Sequence, residues 1–166
     1  MVQLWVNLPA KDKMSKPGYQ GISKDQIGKY ELPDKQGYVE VIAGQFKDIE
    51  GAASTFTPIH LQNARLQTGA LVDFNFPASF TTALLVIEGS INVNDHEKVE
   101  ASHFVLFEND GEVFSIQALE NSIVLVLSGQ PIDEPIAAHG PFVMNTQSEL
   151  VQAFQDYNLG KFGYLE

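Results

Sequence analysis

The spacing of apolar residues along the chain predicts a domain built from short β-strands. From residue 38 onward, runs rich in β-branched and aromatic residues alternate with turn signals such as Thr68-Gly69, Asn94-Asp95 and Glu120-Asn121. Runs at this spacing are typical of an antiparallel sandwich or barrel. The eight runs are YVEVIAG, TPIHLQNARL, ALVDFNF, ALLVIEG, SINVN, HFVLF, EVFSIQAL and SIVLVLSG.

The strand-like runs differ in how many of their faces are apolar. EVFSIQAL alternates and places Phe114, Ile116 and Ala118 on one face. By contrast, residues 83–87 and 123–127 are apolar throughout, and a strand of this kind needs cover on both faces. We therefore expect a second layer, the N-terminal segment or another chain to cover the outer face of these two strands.

The two ends of the chain have different patterns from the middle. Residues 4–8 (LWVNL) predict a short strand, and the polar, Gly-, Lys- and Pro-rich stretch that follows predicts an extended arm with one helical turn near Asp25. At the other end, Thr146 or Ser148 can cap a helix that Gly160 ends. Apolar residues fall at helical spacing within it: Leu150, Val151, Phe154 and Tyr157.

The sequence thus predicts one structural domain in three parts. Residues 1–37 form the N-terminal strand and extended arm, residues 38–145 the β-barrel, and residues 146–166 the C-terminal helix and tail. A length of 166 residues with 44% apolar composition suits one such domain with a buried core.

Charge and cysteine content exclude several classes of function. The net charge is −11, which repels nucleic-acid phosphates and anionic lipid, so we expect no nucleic-acid and no membrane partner. No apolar run approaches the length of a membrane span, and no signal peptide is evident at the N-terminus. The chain has no cysteine, which excludes disulfides and thiolate sites and fits a cytoplasmic location.

The four histidines are the first candidates for chemistry, and a structural role is favoured for each. His60 lies on a strand and can be a hydrogen-bonded interior side chain, His96 lies in a hairpin turn, and His103 lies at a strand end. His139 lies in PIAAHGPFVMNT, where Gly140-Pro141 sets a bend and Asn145 and Thr146 satisfy the helix start. No nucleophile with a base and an orienting group is indicated there.

Three stretches of the chain resemble the C-terminal half of the pirin family: LWVNLPAKDKMSKPGYQ, ALLVIEGSINVN and PIDEPIAAHGPFVMNTQSELVQAFQDYNLGKFG. The resemblance covers essentially the whole chain. It implies a cupin-type antiparallel β-sandwich or jelly-roll barrel, with an extended N-terminal arm and a short C-terminal helix.

The resemblance also carries expectations about metal and activity. Pirins have two cupins, and the N-terminal one holds a non-haem iron through three His and one Glu, whereas the C-terminal one is usually metal-free. Flavonol (quercetin) dioxygenase activity and a role as transcriptional cofactor have been attributed to family members. This chain begins where the N-terminal cupin would be ending, so we expect the iron-binding half to be absent from it.

The metal-binding pattern of cupins tests whether this half alone can bind a metal. The pattern is G-x5-H-x-H-x(3,4)-E-x6-G with a later P-x-G-x-x-H. With the first pattern anchored on Gly69 and Gly89, its ligand positions become Asn75, Pro77 and Thr82. With the second anchored on Gly111, the later His becomes Phe114. None of these side chains replaces a His or carboxylate ligand. We therefore expect no metal, no other cofactor and no catalytic residue in this barrel.

The favoured function is accordingly that of a non-catalytic, stand-alone cupin module that acts through association, as a homodimer. One alternative is a small-molecule binder or metal-independent enzyme that uses the barrel cavity, with His60, Asn75, Thr82 and Phe114 as its lining. Another is one half of an iron-dependent oxygenase assembled with a separately encoded N-terminal half. The sequence identifies no ligand or substrate.

Overall fold

A computed structural model describes residues 2–163 of the chain, which form two compact units. Tyr19–Pro131 form one, called here the sandwich unit. Met1–Gly18 together with Ile132–Glu166 form the other, called here the terminal unit. The sequence predicted one domain with internal boundaries at residues 37/38 and 145/146, and these boundaries differ from those of the two units.

The sandwich unit consists of short antiparallel strands in two larger sheets. A six-stranded sheet has the order β1-β2-β5-β12-β7-β10 and a four-stranded sheet has the order β6-β11-β8-β9. β3 and β4 form a separate hairpin. The strands are β1 (Gly28–Glu31), β2 (Gly37–Ala43), β3 (Gln45–Phe46), β4 (Ile49–Glu50), β5 (Ile59–Leu66), β6 (Leu71–Asn75), β7 (Thr81–Glu88), β8 (Ser90–Val93), β9 (Glu97–Glu100), β10 (Phe104–Leu106), β11 (Val113–Ala118) and β12 (Ser122–Gly129).

The antiparallel sandwich confirms the predicted fold class, whereas a closed barrel is not formed. Among the described strands, the two larger sheets remain separate ladders. All eight runs singled out in the sequence contain a strand. The short strands β1, β3, β4 and β9 were not predicted, because each has only two to four residues and too few positions to show a period.

The core lies between the two sheets and follows the alternation of the strands. Across the six-stranded sheet, Val39, Ala64, Val124 and Val86 are aligned neighbours, and all four are fully buried. On the four-stranded sheet, β11 buries its alternate residues as expected, including Ile116. Burial of such aliphatic side chains is the main favourable contribution to folding.

β7 and β12, the two strands that are apolar on both faces, lie next to each other in the middle of the six-stranded sheet. On their outward face, Ala83 and Leu125 are 6% and 8% exposed, whereas the other apolar side chains are half-buried: Leu85, Ile87, Ile123 and Leu127. Exposed apolar side chains on this face belong instead to the short edge strand β10, where Phe104 and Leu106 are 60% and 65% exposed. The outer face of these two strands is thus partly covered, and cover by a second chain stays a prediction.

The terminal unit is a hairpin followed by a helix. β13 (Ala137–His139) and β14 (Phe142–Met144) pair antiparallel across Gly140-Pro141, where Gly140 takes a positive φ of 56° that favours glycine. The α-helix α1 (Gln147–Asn158) follows. In the same unit, a carboxylate oxygen of Glu134 accepts from the backbone N–H of Ala10 at 2.7 Å and from Asn145 Nδ2 at 3.0 Å.

Both ends of α1 match the sequence prediction. Thr146 is the N-cap, and it forms a capping box with Glu149. Past the helix end, Gly160 has a φ of 71°, and the N–H of Lys161 donates to the carbonyl of Asp156, as in a Schellman motif.

The strand predicted at residues 4–8 is wrong as a description of this structure. These residues all lie in the described part of the chain, and they carry no strand assignment. The prediction of a mostly irregular arm up to residue 37 also needs correction, because β1 pairs with β2 over four residues and extends the six-stranded sheet.

Candidate functional site

Aromatic side chains fill the interior of the sandwich unit. Phe114 on β11 lies at the centre of the cluster. Its ring centroid is 4.4 Å from that of Phe107, 5.4 Å from Phe74 and 6.1 Å from Phe76. All of these rings except Phe107 are at most 6% exposed. Ring centroids at 4.5–7 Å favour packing through offset and edge contacts, so the cluster acts as core.

Only a small cavity remains beside these rings. It has a volume of about 70 Å³, and Thr82 and Phe114 line it together with Phe76 and Phe107. Thr82 is 7% exposed, and its Oγ1 is 2.8 Å from Ser128 Oγ on the neighbouring strand. Since ligand pockets usually enclose about 300–1,000 Å³, this space is far too small for a substrate of the size of a flavonol.

Thr82 and Phe114 line this small cavity, whereas Asn75 does not. The side chains of β6 alternate, so that Phe74 is fully buried and Asn75 is exposed and paired with Val113 across the strands. The interior positions near the end of this strand are Phe74 and Phe76. Neither of these interior residues has a side chain that can act as a metal ligand.

His60 lies on β5, outside the 70 Å³ cavity. It lines a separate surface pocket with Gly44 and Pro58, and its Nδ1 is 3.3 Å from both the N and the O of Gln45. Its ring centroid is 4.9 Å from that of Phe76. His60 is a half-buried side chain packed against the aromatic cluster rather than a residue that lines the interior.

The side chains of this interior do not supply the donor atoms that the iron of a pirin-type centre would need. Within residues 2–163, no three His, Asp or Glu side chains lie close enough together to hold a metal ion. The interior offers phenylalanine rings and a threonine hydroxyl that is already hydrogen-bonded to Ser128. Iron of this kind takes imidazole and carboxylate ligands, which these side chains cannot replace.

A larger cavity, which the sequence did not indicate, lies in the terminal unit. Its volume is about 580 Å³, which is in the range of small-molecule sites. The lining is mainly apolar and aromatic, with Trp5, Met14, Phe142, Val143 and Phe162 among it. The sequence shows these aromatic residues only at widely separated positions. Their spacing gave no indication that they line one cavity.

Three charged side chains stand at the border of this cavity, and each has a partner. Lys13 Nζ donates to Asn7 Oδ1 at 2.6 Å. The hydrogen bond from the Thr146 side chain lowers the pKa of Glu149, and the hydrogen bond from the Lys161 side chain lowers the pKa of Asp156. These shifts are explained by the helix cap and by a salt bridge of 2.7 Å, so they are structural and do not indicate an acid–base pair.

The remaining histidines have the positions expected of structural residues. His139 ends β13, is exposed, and its ring centroid is 5.6 Å from Phe154. His96 lies in the β8–β9 hairpin, where Asn94 and Asp95 take positive φ values. His103 immediately precedes β10, and its Nδ1 lies 3.2 Å from the carbonyl oxygen of Glu100.

Comparisons with known proteins agree with this architecture. The profile of the Pirin C-terminal cupin domain matches residues 61–163. A Pseudomonas aeruginosa protein provisionally named quercetin 2,3-dioxygenase PA2418 is 39% identical over 162 residues, which is 98% of this chain and 56% of that protein. Human pirin is 34% identical over 168 residues, which is 98% of this chain and 57% of pirin.

A solved structure shows the same fold. The crystal structure of a quercetin 2,3-dioxygenase from Acinetobacter baumannii superposes with a TM-score of 0.92 at 40% sequence identity, over 98% of this chain and 56% of that one. The chain thus spans little more than half the length of the relatives it matches. In the described residues no helix is long and apolar enough to cross a membrane. By its sequence profile, its relatives and its fold, the chain belongs to the pirin family of cupins.

Proposed function

We propose that this chain is a metal-free cupin module of the pirin type, which works through association rather than through chemistry inside its own sandwich. The observation that carries the proposal is the aromatic filling of the interior, with Phe74, Phe76 and Phe114 in place of metal ligands. An oxygenase activity of the kind named for the relatives would then belong to a second, metal-holding cupin, and this chain would support that cupin structurally.

Metal loading tests the proposal directly. The purified chain is incubated with Fe(II) under anaerobic conditions, freed of unbound metal and analysed for iron, and its oxygen uptake is then measured with quercetin. We expect iron far below one per chain and oxygen uptake at the rate of a protein-free sample. Retention of one iron per chain together with quercetin-dependent oxygen uptake would overturn the proposal.

Small-molecule binding in the terminal unit is a second candidate, favoured by the cavity of about 580 Å³. The rings of Trp5, Phe142 and Phe162 along its lining suit a planar, largely apolar molecule. Quercetin is a reasonable first probe because several relatives carry its name.

Calorimetric titration with quercetin tests this second candidate, with two matched variants on α1. Ala153→Phe places a ring in the cavity lining, and Val151→Phe adds the same ring where the side chain is 58% exposed. We expect the first variant to lose binding and the second to keep it. Absence of binding to the unmodified chain, or equal binding by both variants, would exclude the cavity as a quercetin site.

A further inference from the structure

Asp110-Gly111 is the only Asp-Gly pair in the chain, and the chain has no Asn-Gly pair. It lies in the loop between β10 and β11, and both residues are exposed. Among aspartate sequences, Asp-Gly is the one most prone to close a five-membered succinimide ring, because glycine has no Cβ to shield its backbone nitrogen. Whether the reaction occurs in a folded protein depends on what surrounds the two residues.

The backbone nitrogen of Gly111 is free to act as the nucleophile. Within residues 2–163, its N–H donates to no backbone carbonyl. A Cβ added at Gly111 would meet no heavy atom within 4 Å, so this backbone is not packed against neighbours either. Ring closure needs the Asp110 side chain to rotate towards the nitrogen, and an exposed loop permits such rotation.

A second labile sequence, Asn121-Ser122, is held in the opposite state. Asn121 Oδ1 accepts from the N–H and from Oγ1 of Thr68, at 3.0 and 3.2 Å. Ser122 begins β12 and is 3% exposed. Since the side-chain amide is fixed by hydrogen bonds and the next residue lies in a strand, ring closure at Asn121 would need local unfolding. The fold thus exposes Asp110-Gly111 and protects Asn121-Ser122.

We propose that Asp110-Gly111 is a site of spontaneous backbone modification, at which aspartate is converted to isoaspartate. The nitrogen of Gly111 attacks Cγ of Asp110 and forms a C–N bond, and the carboxyl oxygen leaves as water with the proton of the N–H. Water then adds to one of the two ring carbonyls and breaks its bond to the nitrogen. Opening at the main-chain carbonyl of Asp110 gives isoaspartate, and opening at the side-chain carbonyl restores aspartate.

The modification would lengthen a loop that closes one end of the sandwich interior. At the start of the loop, the N–H of Phe107 donates to the carbonyl of Thr82 at 3.0 Å, and at its end the carbonyl of Glu112 accepts from the N–H of Phe76 at 2.9 Å. Isoaspartate adds one methylene to the main chain between these fixed ends. We therefore expect the hydrogen bond between Phe76 and Glu112 to weaken in the modified protein. The modification requires neither metal nor association, so it is independent of the proposed function.

Incubation of the purified chain at physiological temperature, in neutral and in mildly acidic buffer, tests the proposal. Chymotrypsin cleaves after Phe107 and Phe114 and so releases the site in a short peptide, in which electron-transfer fragmentation distinguishes isoaspartate from aspartate. Methyl transfer by an isoaspartate-specific methyltransferase gives a second measure. We expect isoaspartate to increase with time in this peptide, several-fold above its level at Asn121, together with a succinimide form that is lighter by one water.

Variants of the two residues test the chemistry. Gly111→Ala adds a Cβ that the fold accommodates but that shields the nitrogen, so isoaspartate should fall several-fold. Asp110→Glu would need a six-membered ring, and we expect only background conversion. Asp110→Asn should react faster than the unmodified chain, because it releases ammonia. Unfolding in urea should increase the reaction at Asn121 far more than at Asp110.

Two results would overturn the proposal. One is background isoaspartate in the folded chain under conditions in which the free peptide of residues 108–114 forms it, which would show that the loop holds Asp110 in an unreactive geometry. The other is equal accumulation in the unmodified chain and in Gly111→Ala. For the loop itself, we expect faster hydrogen exchange at the Phe76 amide in the purified isoaspartate form, and unchanged exchange would refute the expected weakening of its hydrogen bond.

Discussion

The sandwich unit and the terminal unit use aromatic residues in opposite ways. In the sandwich unit, phenylalanine rings pack against one another and leave a cavity of about 70 Å³. In the terminal unit, aromatic rings line a cavity of about 580 Å³. The terminal unit is the smaller of the two, yet it carries most of the exposed large apolar side chains that the structure describes.

This difference shows that the interior of the sandwich unit is used for packing. A tightly packed aromatic core stabilises the fold and leaves only a small cavity beside its rings. The apolar cavity of about 580 Å³ lies instead in the terminal unit. Substitutions in the two units should therefore have different consequences.

The largest effect is expected in the sandwich interior. Phe114→Ala removes the ring at the centre of the aromatic cluster, and we expect it to lower the free energy of unfolding by ~3–5 kcal/mol, as for other buried phenylalanines. Urea unfolding followed by circular dichroism measures this. The control is Val113→Ala, the neighbouring residue on the opposite face, which is 60% exposed. Similar losses for both variants would contradict the assignment of Phe114 to the core.

A smaller effect is expected in the terminal unit. The Phe142 ring lies 4.9 Å from Phe154 and 5.9 Å from Phe162 but is only half-buried, so Phe142→Ala should cost about 1–3 kcal/mol. Trp5 lines the same cavity and reports the loss through its fluorescence during urea unfolding. His139→Ala, at an exposed position of the same hairpin, should change the transition much less. A larger loss for His139→Ala would show that this histidine has a role beyond scaffold.

The smallest effect concerns the start of α1 and depends on pH. Thr146→Ala removes the N-cap and should cost about 1 kcal/mol near neutral pH. The Thr146 side chain lowers the folded-state pKa of Glu149, so this contribution is present above the unfolded pKa and is lost as pH falls through the folded one. The difference between the two proteins should therefore shrink in acid, as thermal melting across a pH series can measure. A difference that grows as pH falls would contradict the capping box.

Local features of the sequence were sufficient to predict the strands of the sandwich and the ends of α1. Alternation in β11, the turn at Asn94-Asp95, and the cap at Thr146 each depend on residues close together in the chain. Period and turn chemistry are short-range properties, so one sequence can show them.

Only the tertiary structure decided which faces and segments meet. It placed Asn75 outside and Phe74 inside, because β6 takes its register from pairing with β11. It gathered Trp5, Phe142 and Phe162 around one cavity, although they are far apart in sequence. It also left residues 4–8 unpaired despite their strand pattern, since a strand forms only where a neighbour completes its hydrogen bonds. The sequence by itself determined the elements, because period and turn chemistry are local, and long-range contacts determined which faces are buried and which residues share the cavity.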